Sequence, residues 1–224
     1  MEQQMTTRNS QHYDVVIAGA RCAGAATAML LARQGARVLL LDRSRYSTDT
    51  LSTHALMRGA VLQLHWWGLL PRVIAAGTPA VRSTTFHLPG AISAVQIKPR
   101  DGVDALYAPR RVVLDAILAD ATRRAGADVR FGTSVTGLRH DRSGRVTGIT
   151  GRAGPADLEI SADLVVGADG RRSPSRGASV PGPPTSPRPR AASSTGISAT
   201  MRSRATTGTT PPGQRPAPFP PTTG

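Results

Sequence analysis

The stretch Tyr13–Arg43, YDVVIAGARCAGAATAMLLARQGARVLLLDR, reads as a strand, a glycine turn, a helix and a second strand that ends in an acid. Val15, Val16 and Ile17 form the short apolar run that a parallel strand buried on both faces needs, and Gly19 lets the chain turn where that strand stops. The helix that follows has first-turn N–H groups without intrahelical partners, and its dipole favours an anion there, so a pyrophosphate fits at Cys22–Ala25 beside Ala23 and Gly24. Gly35 closes the helix as a left-handed cap, and Val38–Leu41 forms the next buried strand. Asp42 ends it, 18 residues after Gly24, where a carboxylate can accept both hydroxyls of an adenosine ribose; Arg43, next to it, counts with the site. The turn Gly19-Ala20-Arg21-Cys22-Ala23-Gly24 carries the G-x-G-x-x-G fingerprint with Arg21 in the place of the second glycine. A guanidinium there can pair with a phosphate or point to solvent. Without a bound dinucleotide, the same stretch is an ordinary buried βαβ unit.

A second stretch, Ala162–Arg176, ADLVVGADGRRSPSR, is a buried strand that ends in Asp169-Gly170 and leads to Ser173 and Arg176. The pattern D-G-x-x-S-x-x-R, well downstream of an N-terminal dinucleotide fold, resembles the class A flavoprotein monooxygenases and the related geranylgeranyl-reductase-like oxidoreductases. The resemblance covers about residues 12–176. It implies an FAD lying extended across the domain, with Asp169 and Gly170 near its pyrophosphate and linked to use of NADH or NADPH as reductant. Arg111, opening a helix in Arg111-Val-Val-Leu114, falls where the family places an arginine on the cofactor, and Val135 falls beside the adenine through its backbone. Taken singly, an Asp-Gly after a strand is a turn and an arginine opening a helix is a solvated charge; their order and spacing favour the cofactor.

The rest of the chain fits an α/β, Rossmann-like FAD-binding domain with a parallel sheet, a β meander and part of a small substrate-domain sheet. Residues 54–69 read as one helix, with Met57, Ala60, Val61, Leu64 and Trp67 on a core face. His54 reads as a capping or solvated side chain, and Trp66 and Trp67 as packing. Short alternating segments at Thr84–Leu88 and Ser93–Ile97, within a partial substrate-domain insertion at about 81–108, suggest the sheet that floors a substrate pocket. Arg111–Arg124 is a helix with Leu114, Ile117, Leu118 and Ala121 on one face and Gly126 as its stop, followed by a strand at Val129–Phe131. Ser134–His140 and Arg145–Thr150 read as a hairpin, Leu158–Ile160 as a third short strand and Leu164–Val166 as the return to the parallel sheet. Cys22 opens a helix, where the dipole could depress its thiol pKa; filling a tight turn is the plainer reading.

The net charge of +14 points at first to nucleic acid or an anionic surface. Its distribution argues otherwise: residues 1–170 hold 20 basic and 14 acidic side chains, whereas residues 171–224 hold eight Arg, no acid and twelve of the 18 prolines. A nucleic-acid binder using this tail would be the rival class, but interleaved aromatics are missing, so no specific nucleic acid is expected as partner. Residues 1–11 and 177–224 read as disordered, the latter for want of apolar groups to offset ordering entropy. A run of Pro, Arg, Ala, Ser, Thr and Gly is also what a GC-rich gene gives out of frame, so a frameshift or truncation near residues 173–180 competes with a genuine basic extension. One cysteine and no apolar stretch of signal or membrane length point to the cytoplasm. No metal is expected.

The family's second half carries a G-D-A-A-H-x-x-x-P stretch whose Asp holds the FAD ribityl chain, and nothing in this sequence matches it. The resemblance therefore implies the FAD-binding part of an NADH- or NADPH-dependent monooxygenase acting on a small organic molecule, with a chain that does not turn over as it stands. A reductase of isoprenoid double bonds is the alternative.

Overall fold

A computed structural model describes residues 11–50, 55–170 and 198–199. His54, Ser173, Arg176 and nearly all of the basic tail lie outside the described residues. The chain opens with β1 (His12–Ala18), α1 (Cys22–Arg33) and β2 (Val38–Asp42), the βαβ unit expected from the sequence. β1 and β2 pair in parallel, Val15 to Val38 through Ala18 to Leu41, and every residue of β2 is buried. Gly35 takes φ 85° just beyond α1, and its N–H donates to the carbonyl of Ala32, the left-handed stop.

The helix expected at 54–69 is shorter, Arg58–Trp66, and a second helix follows it beyond residue 69. α2 (Arg58–Trp66) and α3 (Leu70–Ala75) are separated at Gly68, which takes φ 74°, and Pro71 opens the second. Leu56 pairs with Tyr107 as a bridge, so the backbone before α2 is extended. Val61 and Leu64 are buried as expected, but Met57 is 67% exposed and Ala60 is also exposed. Trp67 packs against the core, whereas Trp66 is exposed.

Two small antiparallel sheets follow. β3 (Ala80–Val81) pairs with β6 (Leu106–Tyr107), and β4 (Ser83–Leu88) forms a hairpin with β5 (Ala91–Gln96). α4 (Arg111–Arg124) has the expected bounds and buries Leu114, Ile117, Leu118 and Ala121. It leads to β7 (Asp128–Phe131), which pairs in parallel with β2.

β8 (Thr133–His140) and β9 (Val146–Ala153) form the expected hairpin. The two short strands expected next are one, β10 (Ala156–Gly167). Its first half pairs antiparallel with β9 and its second half parallel with β1; Ser161 has partners on both, Gly148 and His12. Ser161, between the two expected strands, is the place where a continuous strand changes partner. In the tail, Ser198–Ala199 form β11, antiparallel to the end of β10.

The sheet order is β7-β2-β1-β10-β9-β8. α1 and α4 cover one face of the parallel part over a core that includes Ile17, Leu40, Ala28 and Leu118. The meander packs on the other, where Val16, Leu39 and Leu41 meet Ile149 and Ile160. β1 serves both faces: Val15 and Ile17 lie in the core under the helices, and Tyr13 and Val16 in the one under the meander. Among the described residues no helix is long and apolar enough to cross a membrane.

Candidate functional site

The C-terminal ends of β1 and β2 lie side by side, and the turn after β1 is built for close approach. In open parallel sheets, ligands bind beyond these ends. Gly19 takes φ 104° and donates its N–H to the carbonyl of Leu41 at 2.7 Å. A Cβ there would lie 2.5 Å from the carbonyl oxygen of Ala168, and a Cβ on Gly24 would lie 1.8 Å from that of Gly19. Both glycines are therefore needed for the β1 turn, α1 and the end of β10 to meet. The same contacts bring Asp169, in the turn after β10, against the Gly19 turn, with Gly170 next at φ 90°.

Asp42 locks this turn. Its buried carboxylate accepts the Ala20 N–H at 2.7 Å on one oxygen and both the N–H and the hydroxyl of Ser44 on the other. An ionised carboxylate offers roughly four acceptor sites; three are engaged within the protein, and the remaining one is on the oxygen that accepts from Ala20. Ser44 was not legible as a site residue.

α1 begins at Cys22 with Arg21 as its N-cap, without a side-chain cap bond and without an acid in its first turn. A positive helix end left uncapped by the protein suits a phosphate. Beside it a shallow open cleft is lined by residues that include Arg21, Asp42, Ser44, Tyr46, Asp115 and Phe131. Tyr46 and Phe131 meet edge to face at 5.4 Å, with the Arg123 guanidinium over both rings. These aromatics come together only in the fold. Arg43 is exposed and is not part of the cleft lining, where Arg45 stands instead. Ala23 is partly buried, and its carbonyl accepts the Thr27 hydroxyl.

Arg111 opens α4 and is joined to Asp115 one turn on, with Nη2 at 3.0 and 3.1 Å from the two carboxylate oxygens and Nε at 3.3 Å from one. The Cys22 thiol donates to the same carboxylate at 3.2 Å. Burial, reinforced by the negative charge of Asp115, pushes the thiol up to about 11. The thiol is raised and not depressed, in keeping with the plainer reading of Cys22 as a side chain packed into the turn, because desolvation and a facing carboxylate outweigh the helix end. Val135 lies on β8, packed against the meander core beside a register irregularity.

The geometry fits FAD at its adenosine diphosphate end: a glycine turn, an uncapped helix start, an acid at the end of β2 and two aromatic rings in one cleft. Comparison with known proteins agrees. Residues 12–199 match the FAD binding domain family. The chain is 32% identical to anhydrotetracycline monooxygenase of Streptomyces rimosus over 158 residues, 70% of this chain and 31% of that enzyme. It is 31% identical to digeranylgeranylglycerophospholipid reductase of Methanocella arvoryzae, over 70% of this chain and 39% of that one. The myxobacterial chondrochloren halogenase CndH shares the fold with a TM-score of 0.65 at 23% identity, covering 75% of this chain and 39% of that one. The chain thus spans 31–39% of the length of these relatives. It belongs to the FAD binding domain family, within the FAD-binding oxidoreductases.

Proposed function

We propose that this chain forms the adenosine and pyrophosphate end of the FAD site in a monooxygenase that uses NADH or NADPH to hydroxylate a small organic molecule in the cytoplasm. The observation that carries the reading is the Gly19 turn pinned by Asp42 through the Ala20 N–H, at the adjoining ends of β1 and β2. In this reading Asp42 holds the ribose, and the first turn of α1 with Arg21 and Arg111 faces the phosphates. Val135 lies along the adenine, and Asp169-Gly170 approaches the pyrophosphate from β10. Bound FAD would supply electron transfer from the reductant and activation of oxygen. The protein's share is to bind, orient and exclude water. The sheets β3–β6 and β4–β5 are the start of the substrate-pocket floor.

Hydroxylation is favoured by the likeness to anhydrotetracycline monooxygenase. The likeness to the digeranylgeranylglycerophospholipid reductase keeps double-bond reduction as the second reading. Oxygen uptake separates them, because a hydroxylase consumes oxygen with its substrate and a reductase consumes none. The first test is titration of the purified chain with FAD, followed by flavin fluorescence; saturable binding that ADP displaces supports the reading, and its absence overturns it. Since nothing in the sequence matches G-D-A-A-H-x-x-x-P, the chain by itself is expected to bind FAD without hydroxylating. The out-of-frame origin of the tail is tested by translating the nucleotides after the Gly170 codon in the other two frames.

A further inference from the structure

An acid in the wall of a phosphate cleft needs an explanation, since a carboxylate facing a diphosphate would repel it. Asp115 lines the same cleft as Arg21 and Asp42. Its side chain is 13% exposed, and its oxygens are engaged by the Arg111 guanidinium and the Cys22 thiol. The side-on edge of Arg111 faces Asp115, which leaves the donors on Nη1 directed elsewhere. The pair is not explained by helix stability alone, because Arg110 and Arg111 stand at the start of α4, where the dipole disfavours cations.

We propose that Asp115 is a positioning residue for the phosphate end of the site: it holds the Arg111 guanidinium beside the start of α1 and engages the Cys22 S–H. The inference rests on the FAD reading above. With Asp115 compensated by Arg111, and with the sulfur protonated, the arc facing the phosphates presents cations and N–H donors and no free anion. The charged groups that act on the thiol, Asp115 and Arg111, both come from α4. Asp115 thereby ties the orientation of α4's first residue to the first residue of α1.

The test uses the full chain and Asp115→Asn, which keeps the shape and removes the charge. FAD affinity by fluorescence titration should fall about tenfold, the size expected when a charge-assisted contact to phosphate is misdirected. On an Arg111→Ala background the same substitution should have little further effect, because Asp115 acts through Arg111. Asp115→Glu should recover part of the affinity. The flavin-free protein gives an independent reading: Cys22 is the only cysteine, so the pH midpoint of its alkylation by iodoacetamide should move down in Asp115→Asn. If wild type binds FAD and Asp115→Asn binds it equally well, or if the loss is undiminished on the Arg111→Ala background, the positioning role is wrong while the FAD reading stands. An unmoved thiol midpoint also overturns it. If wild type binds no FAD, the FAD reading itself falls and this inference with it.

Discussion

Asp42 is asked to do two things, to hold the Gly19 turn and to receive a ribose, and substitutions separate them. Asp42→Ala strips the Ala20 N–H of its partner and removes the ribose acceptor, so FAD affinity should fall by more than about tenfold and the fold should lose about 1–3 kcal/mol. Ser44→Ala frees an acceptor site on the same carboxylate, and its affinity should stay within about threefold of wild type, less than 1 kcal/mol. Equal losses in fluorescence titrations of the two variants would show that the Ser44 contact, not the ribose, is what Asp42 serves. Gly24→Ala places a methyl where the Gly19 carbonyl stands, and should destabilise the flavin-free protein by about 3 kcal/mol or more in urea. Cys22 gives a pH signature. Its folded pKa is raised, so its share of stability is complete below pH 9 and declines as pH rises from 9 through 11, where the unfolded chain ionises and the native thiol resists. Cys22→Ser should flatten that part of the stability profile, and an unchanged slope would contradict the burial of the thiol. Gly19, Gly24 and Asp42 were legible because their roles follow from local spacing. Asp115, Tyr46 and Phe131 were not, since the contacts of Asp115 to Cys22 and of the two rings to each other are made by packing across the sheet ends, and Ser44, though only two residues from Asp42, forms no motif by spacing. The i, i+4 placement of Asp115 after Arg111 was the one signal available.

Among the elements, those bounded by local chemistry were readable and those shaped by neighbours were not. α4 had its expected limits because an apolar face and Gly126 define it, and the βαβ unit because both strands are buried on two faces. β10 was read as two short apolar strands, 158–160 and 164–166, whereas pairing to β9 and then β1 keeps the residues between them extended as well. Met57 and Ala60 carried a helical period but end up exposed, because periodicity shows that a face is apolar and not that anything covers it. The seam between α1 and α4 sets the start of α1, and with it the phosphate end of the site. Thr122 is fully buried there, with its hydroxyl 2.8 Å from the carbonyls of both Ala25 and Leu118. Thr122→Val keeps the shape and loses the donor, so stability should fall by about 1 kcal/mol in urea denaturation. No loss would mean that packing alone fixes the seam.

At the scale of the whole molecule, the described half of the site is one-ended. Its cleft is walled by β1, β2, α4 and β7 residues and their loops, and on the proposed reading the fingerprint turn, the uncapped start of α1 and the aromatic pair all serve the adenosine diphosphate part of a dinucleotide. The basic excess does not alter this, since more than half of it, eight Arg unopposed by any acid, lies in residues 171–224. If the protein's contacts are mainly to that part, ADP should bind almost as well as FAD: competition titrations should give affinities within about threefold, less than 1 kcal/mol apart. FMN, which lacks the adenosine, should not compete at comparable concentration. Bound flavin should stay open to iodide quenching, and adding NADH or NADPH should not drive hydroxylation. An FAD affinity about 100-fold above that of ADP would require nearly 3 kcal/mol of contact at the isoalloxazine end. That result would mean that this chain closes around the ring with residues not assigned to the cleft, and the search for a substrate would then begin on this chain itself.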